Sequence, residues 1–94
     1  MDPTAADAGT RRGGTRVRTV RVVVTLKPGV LDAPGQAIRR GLHALGHAEV
    51  EEVRAGRYFE IDVAEGGDLD HLVREMCEGF LANPLIEQYR YEVV

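Results

Sequence analysis

Between Arg16 and Lys27 the side chains alternate with a period of two, and this restricts the chain to folds built around one long strand. Val20, Val22, Val24 and Leu26 share one face, and Val17, Thr19, Arg21, Val23, Thr25 and Lys27 share the other. β-branched residues at this density pack well on a pleated surface and lose rotamer freedom in a helix. Pro28-Gly29 ends the ladder, since proline brings no donor and glycine takes turn conformations.

Asp32 can cap a helix whose first turn holds Pro34, where a missing N–H costs little. Ile38, Gly41, Leu42 and Leu45 follow at i, i+3, i+4 and i+7, and Gly46 can end that helix in the left-handed region. Val50 and Val53 mark a short strand over 49–54, and Gly56 turns the chain. Phe59, Ile61 and Val63 then alternate with Tyr58, Glu60 and Asp62, as in a strand with one wet face. Gly66-Gly67 breaks it, and Asp68 caps a second helix with Leu69, Leu72, Val73, Met76 and Phe80 on its apolar stripe and Cys77 and Leu81 beside it. Asn83-Pro84 stops this helix, and Tyr89, Tyr91 and Val93 form a last strand.

The order β-α-β-β-α-β predicts an α+β ferredoxin-like sandwich, an antiparallel sheet with two helices on one face. Residues 1–15 have no apolar periodicity and are expected to be a flexible N-terminal extension, with 16–94 as a single domain. A chain of 94 residues buries only about 60–65% of its unfolded surface, so its core is thin and self-association would help it. The open sheet face carries Val17 and Val23 among polar neighbours, which hints that this face or an edge docks onto another chain.

Charge and composition narrow the function. The formal net charge is −3 and the pI is near 5.6. A nucleic-acid partner is not expected, because such domains gather basic charge on one face. The strand order is shared with RNA-recognition domains, but here Tyr58 is flanked by Glu60 and Asp62, which repel phosphate. The longest apolar run is far short of a membrane span, and no secretory segment opens the chain, so a cytoplasmic location is expected.

Cys77 is the one candidate thiol, but its place beside an apolar stripe raises its pKa and leaves it inert. His43 and His47 have i, i+4 spacing, but Gly46 intervenes and no third ligand follows, so no metal site is expected. Glu49, Glu51 and Glu52 form a charge run of the solvated kind. The glycines match no phosphate-binding motif. Residue chemistry alone yields no catalytic site.

The blocks Thr25-Leu26-Lys27, Gly29-Val30-Leu31-Asp32, Gly35-Gln36-Ala37 and Leu42-His43-Ala44-Leu45-Gly46 resemble the opening half of the PurS family. Val50-Glu51-Glu52-Val53-Arg54, Gly56-Arg57-Tyr58, Met76-Cys77 and Asn83-Pro84-Leu85-Ile86-Glu87 with Tyr89 resemble its second half. Ala33 before Pro34, where an Asp-Pro pair is common, and the N-terminal extension depart from the pattern.

This resemblance implies a non-catalytic assembly subunit of phosphoribosylformylglycinamidine (FGAM) synthase, a glutamine-dependent carbon–nitrogen ligase of de novo purine biosynthesis. In that reaction FGAR, glutamine and ATP give FGAM, glutamate, ADP and phosphate. The resemblance implies a bridge between the glutaminase PurQ and the synthetase PurL that supports ammonia transfer, with ATP and magnesium used by the synthetase. No catalytic residue, cofactor or metal is expected in this chain, and the isolated state is expected to be a homodimer or a tetramer. The expected partner-interface residues are Lys27, Pro28, Gly29, Val30, Leu31, Arg57, Tyr58, Asn83 and Pro84, which lie in matched blocks outside the expected core. Plain turn chemistry also accounts for Gly, Pro and Asn at such positions. The alternative function, from a different class, is an ACT-like small-molecule regulatory domain, which predicts stabilisation of the isolated chain by ligand. An acylphosphatase-like hydrolase shares the topology but needs an arginine in its first loop, where this chain has Lys27-Pro28-Gly29.

Overall fold

The computed structural model describes residues 10–11 and 15–94, with side-chain environments from residue 16 onward. The elements run β1 (Thr10–Arg11), β2 (Thr15–Leu26), α1 (Ala33–Ala44), β3 (Gly56–Ala64), α2 (Leu69–Met76), a π-helical turn (Cys77–Leu81) and β4 (Glu87–Val93). Most of the expected N-terminal extension lies outside the described residues. Within it, Thr10 and Arg11 pair antiparallel with Arg16 and Thr15.

The valine-rich strand is central. β2 pairs antiparallel with β3 from Val17↔Ala64 to Thr25↔Gly56, and with β4 from Val20↔Val93 to Leu26↔Glu87. This register places Val20, Val22 and Val24 on one face with Phe59, Ile61, Tyr89 and Tyr91. The three valines are at most 1% exposed, and α2 and the π turn close over them with Val73 and Cys77, both fully buried. Each valine so buried contributes roughly 1.5–3 kcal/mol. The result is an α+β, ferredoxin-like arrangement of a three-stranded antiparallel sheet and two helices, with β1 as a short addition. Among the described residues no helix is long and apolar enough to cross a membrane.

Two expectations need correction. The stretch 49–54 forms no strand. Its backbone is occupied by α1 instead: the Val50 carbonyl meets His43 Nε2 at 2.7 Å, and the Glu51 carbonyl accepts from Arg39 Nε at 2.9 Å. Val50 and Val53, three residues apart, do not present one apolar face at the strand period, so helix side chains compete successfully for the segment.

Phe80 also leaves the stripe assigned to it and is 88% exposed. The cause is the π turn, in which Ala82 N–H donates to the Cys77 carbonyl, an i to i+5 bond of 2.8 Å. The wider turn rotates the following positions, so Leu81 and Ala82 face the sheet in place of Phe80.

Helix α1 forms as its signals direct, with Asp32 Oδ1 accepting from Gly35 N–H at 2.9 Å and Gly46 at φ 103° just beyond its end. Yet none of its residues belongs to the core or packs against it. With the returning segment to Ala55 it forms a hairpin-like arm whose two ends join β2 and β3 at the same end of the sheet.

Candidate partner interface

Lys27 closes the end of the sheet from which the arm departs. Its backbone N–H donates to the Ile86 carbonyl at 2.8 Å, and its Nζ donates to the Pro84 carbonyl at 2.6 Å. The turn after it is tied by Val30 N–H to the Lys27 carbonyl at 3.1 Å, with Gly29 at φ 90°, a value that favours glycine. Pro28 and Leu31 are exposed, Leu31 to 69%.

Glu87 draws the third block to the same place. One carboxylate oxygen accepts from Arg57 Nη2 at 2.7 Å and from Asn83 N–H at 2.6 Å. These donors hold the carboxyl below the usual carboxylate range, the Asn83 amide first and Arg57 second. The Arg57 guanidinium also lies 5.8 Å from the Phe59 ring centroid. Asn83 Oδ1 accepts from Leu85 N–H at 3.1 Å, so the side chain fixes the turn as well. Lys27, Pro84 and Glu87 line an open cleft of about 550 Å³ with Glu78, Ala82 and Tyr89. Tyr89 OH donates to Glu78 Oε2 at 2.8 Å, and that bond raises the phenol's pKa.

Three blocks far apart in sequence, around Lys27, Arg57 and Asn83-Pro84, therefore meet at one end of the sheet. Tyr58 does not join them. It stands 57% exposed on the opposite face and donates to Glu60 Oε2 at 2.7 Å. Sequence reasoning missed Glu87 as the residue that ties Arg57 to Asn83. A signal for it existed, because Glu87 closes the block that begins at Asn83.

The open sheet face is more polar than β2 alone suggested. Arg21 reaches Glu60 at 3.2 Å and Glu92 at 3.7 Å, and Thr19 Oγ1 donates to Asp62 at 2.8 Å. The neighbouring strands thus supply polarity around Val17 and Val23, and this weakens the hint that the face must be covered.

Cys77 is fully buried, and that burial, with Glu78 nearby, pushes its thiol pKa up, away from nucleophilic use. His43 is engaged with Val50, and His47 Nδ1 lies 3.8 Å from Glu49 Oε2. Among the described residues no three His, Cys, Asp or Glu side chains gather as a metal site.

Arg57→Glu sets a carboxylate against Glu87 at the edge of this end. The isolated domain is expected to stay folded, because Arg57 is half exposed and outside the buried core. Affinity for partner subunits is expected to fall about tenfold or more in a titration. Unchanged affinity would remove Arg57 from the interface.

The family model for PurS, phosphoribosylformylglycinamidine (FGAM) synthase, matches residues 19–94. The Bacillus subtilis phosphoribosylformylglycinamidine synthase subunit PurS is 51% identical over 75 residues, spanning 79% of this chain and 89% of that relative. A crystal structure of B. subtilis PurS superposes with a TM-score of 0.77 at 49% identity, over 82% of this chain and 98% of the other. A chain in the structure of PurLQS from Thermotoga maritima superposes with a TM-score of 0.73 at 25% identity, over 83% of this chain and 98% of the other. The chain belongs to the PurS family, whose members are subunits of FGAM synthase in purine biosynthesis.

Proposed function

We propose that this chain is the assembly subunit of a three-part FGAM synthase, binding PurL and PurQ and supporting passage of ammonia between them. The observation that carries the reading is its likeness, over 83% of its length, to a chain of the T. maritima PurLQS assembly. ATP and magnesium are used by the synthetase subunit, the complex works in the cytoplasm, and this chain supplies no catalytic residue or cofactor site. The burial of Cys77 supports the last point, since the chain's one thiol lies out of reach of substrate. The chain acts as a homodimer, residues 16–94 form its single domain, and residues 1–15 are an extension to it.

The partner surface is Lys27, Pro28, Gly29, Val30, Leu31, Arg57, Asn83 and Pro84 at the arm end of the sheet, with Tyr58 as a separate contact on the open face. Ammonia in neutral water is almost wholly protonated, and ammonium is no nucleophile. Handing it between two enzymes requires them to be docked and closed to solvent. A protein that only holds them in register raises the rate through position.

The test is ATP turnover by PurL and PurQ with and without this chain, driven by glutamine or by free ammonia. Glutamine-driven turnover is expected to fall about tenfold or more without the chain while ammonia-driven turnover persists. If the chain changes neither rate, the assembly role is wrong.

A further inference from the structure

The π turn at the end of α2 gives up the burial of a large side chain. Helical spacing puts Phe80 on the apolar stripe with Val73 and Met76, yet the wider turn leaves it 88% exposed, with Leu81 and Ala82 facing the sheet in its place. Burial of such a side chain is worth roughly 1.5–3 kcal/mol, so a chain with a thin core forgoes stability by turning Phe80 outward. Single π turns of this kind recur at functional sites. Leu85 is 84% exposed and Ile86 42%. With Phe80 they leave on the order of 400 Å² of apolar surface open, the size of patch that marks an interaction site.

The surroundings give this patch a sign. Phe80 lies in the chain between Glu78 and Ala82, and Leu85 and Ile86 lie between Pro84 and Glu87. Those flanking residues all line the open cleft of about 550 Å³ at this end of the sheet. The nearby cations are engaged. Lys27 Nζ donates to the Pro84 carbonyl, Arg57 is held by Glu87, and Arg74 pairs with Asp70 at 3.3 Å. Glu78 is exposed and keeps Oε1 open, since the Tyr89 hydroxyl uses Oε2. One turn earlier, Glu75 is exposed with no ion-pair partner among the described residues. The patch is therefore apolar with an acidic edge.

We propose that this patch anchors a partner subunit through a segment that presents an arginine or lysine between apolar side chains. Phe80 and Leu85 receive the apolar groups, and Glu78 receives the cation. The proposal rests on the assembly reading above and deepens it by naming the docking chemistry. Aromatic side chains concentrate in the cores of interfaces and polar groups at their rims, the arrangement that Phe80 and the acidic edge present. A second copy of the chain is the poorer occupant. A two-fold contact through this patch would set the Glu75 and Glu78 carboxylates of one copy near those of the other, and like charges brought together cost affinity.

The test titrates Phe80→Asp and Glu78→Lys, each in the full chain, against PurL and PurQ singly and together. Both residues are exposed and outside the core, and a denaturant melt checks that each variant stays folded. Each variant is expected to bind at least one subunit about tenfold or more weakly, with the homodimer unchanged by sedimentation. Binding by the unaltered chain is expected to weaken with added salt, and Glu78→Gln to flatten that dependence. Full affinity in both Phe80→Asp and Glu78→Lys would overturn the anchor and leave the assembly reading standing. An unaltered chain that binds neither subunit would overturn both. Loss in only one of the two variants would overturn the pairing of apolar and basic groups. A weakened homodimer with partner binding intact would overturn the anchor in favour of a contact between copies.

Discussion

Gly56→Ala is expected to destabilise the domain by at least about 2–3 kcal/mol, enough to lower Tm by roughly 10 °C or more. A methyl group on Gly56 would stand 2.3 Å from the Val24 carbonyl oxygen and 2.9 Å from Thr25 Cγ2. Both neighbours belong to the central strand, where Thr25 is opposite Gly56 in one ladder and Val24 and Thr25 face Tyr89 and Gln88 in the other. Relief therefore means moving backbone that two ladders hold in place. Gly41→Ala is the control with the opposite sign. Nothing lies within 4 Å of a methyl group there, and an alanine inside α1 is worth about 0.5–1 kcal/mol over glycine. Parallel denaturant melts separate the two. Equal midpoints for Gly56→Ala and the unaltered chain would mean that the close approach at the start of β3 is absent in solution.

The contrast between these glycines shows what was legible in the sequence. Period and propensity located β2, α1, β3, α2 and β4, because each carries its signal within a few neighbouring residues. Asp32 and Asp68 were readable as helix caps, and each accepts from an N–H of its helix's first turn. What failed depended on hydrogen bonds that regular spacing does not reveal. The three-residue spacing of Val50 and Val53 argued against a strand at 49–54, but the capture of the Val50 and Glu51 carbonyls by His43 and Arg39 shows only in the folded chain. Phe80 was lost to one extra residue in a turn, since helical spacing assumes that every turn closes i to i+4.

The interface candidates divide in the same way. Lys27, Arg57 and Asn83-Pro84 were picked from separate matched blocks, and their meeting at one end of the sheet follows from the pairing of β2 with both β3 and β4. Tyr58, one residue after Arg57, had to fall on the other face, because neighbours on a strand point to opposite sides. Glu87 could be recognised as a connector only once that pairing placed Asn83 and Arg57 beside it.

Gly35→Ala is expected to release the arm while leaving the sheet almost unchanged. A methyl group on Gly35 would stand 2.3 Å from the Val53 carbonyl oxygen and 2.7 Å from Asp32 Oδ2. It would push the returning segment off α1 and displace the carboxylate that joins the arm's ends. Those two backbone donors, Ala55 first and Gly35 second, hold the Asp32 carboxyl below its ordinary range, so the clasp is ionised and in place at neutral pH. Because α1 gives no side chain to the core, global unfolding by denaturant is expected to shift less than in Gly56→Ala, with the loss limited to what the folded arm itself contributes. Amide exchange in α1 is expected to quicken roughly tenfold or more, since opening there becomes a local event. Asp32→Asn is the milder companion, keeping one oxygen to accept from one of the two donors. Unchanged exchange in α1 of the Gly35→Ala chain would show that the clasp does not hold the arm. A large drop in global stability would show that α1 packs on its own sheet in solution. If the arm loosens while the sheet holds, the arm opens as a local unit and the β2–α2 core carries the stability of the domain.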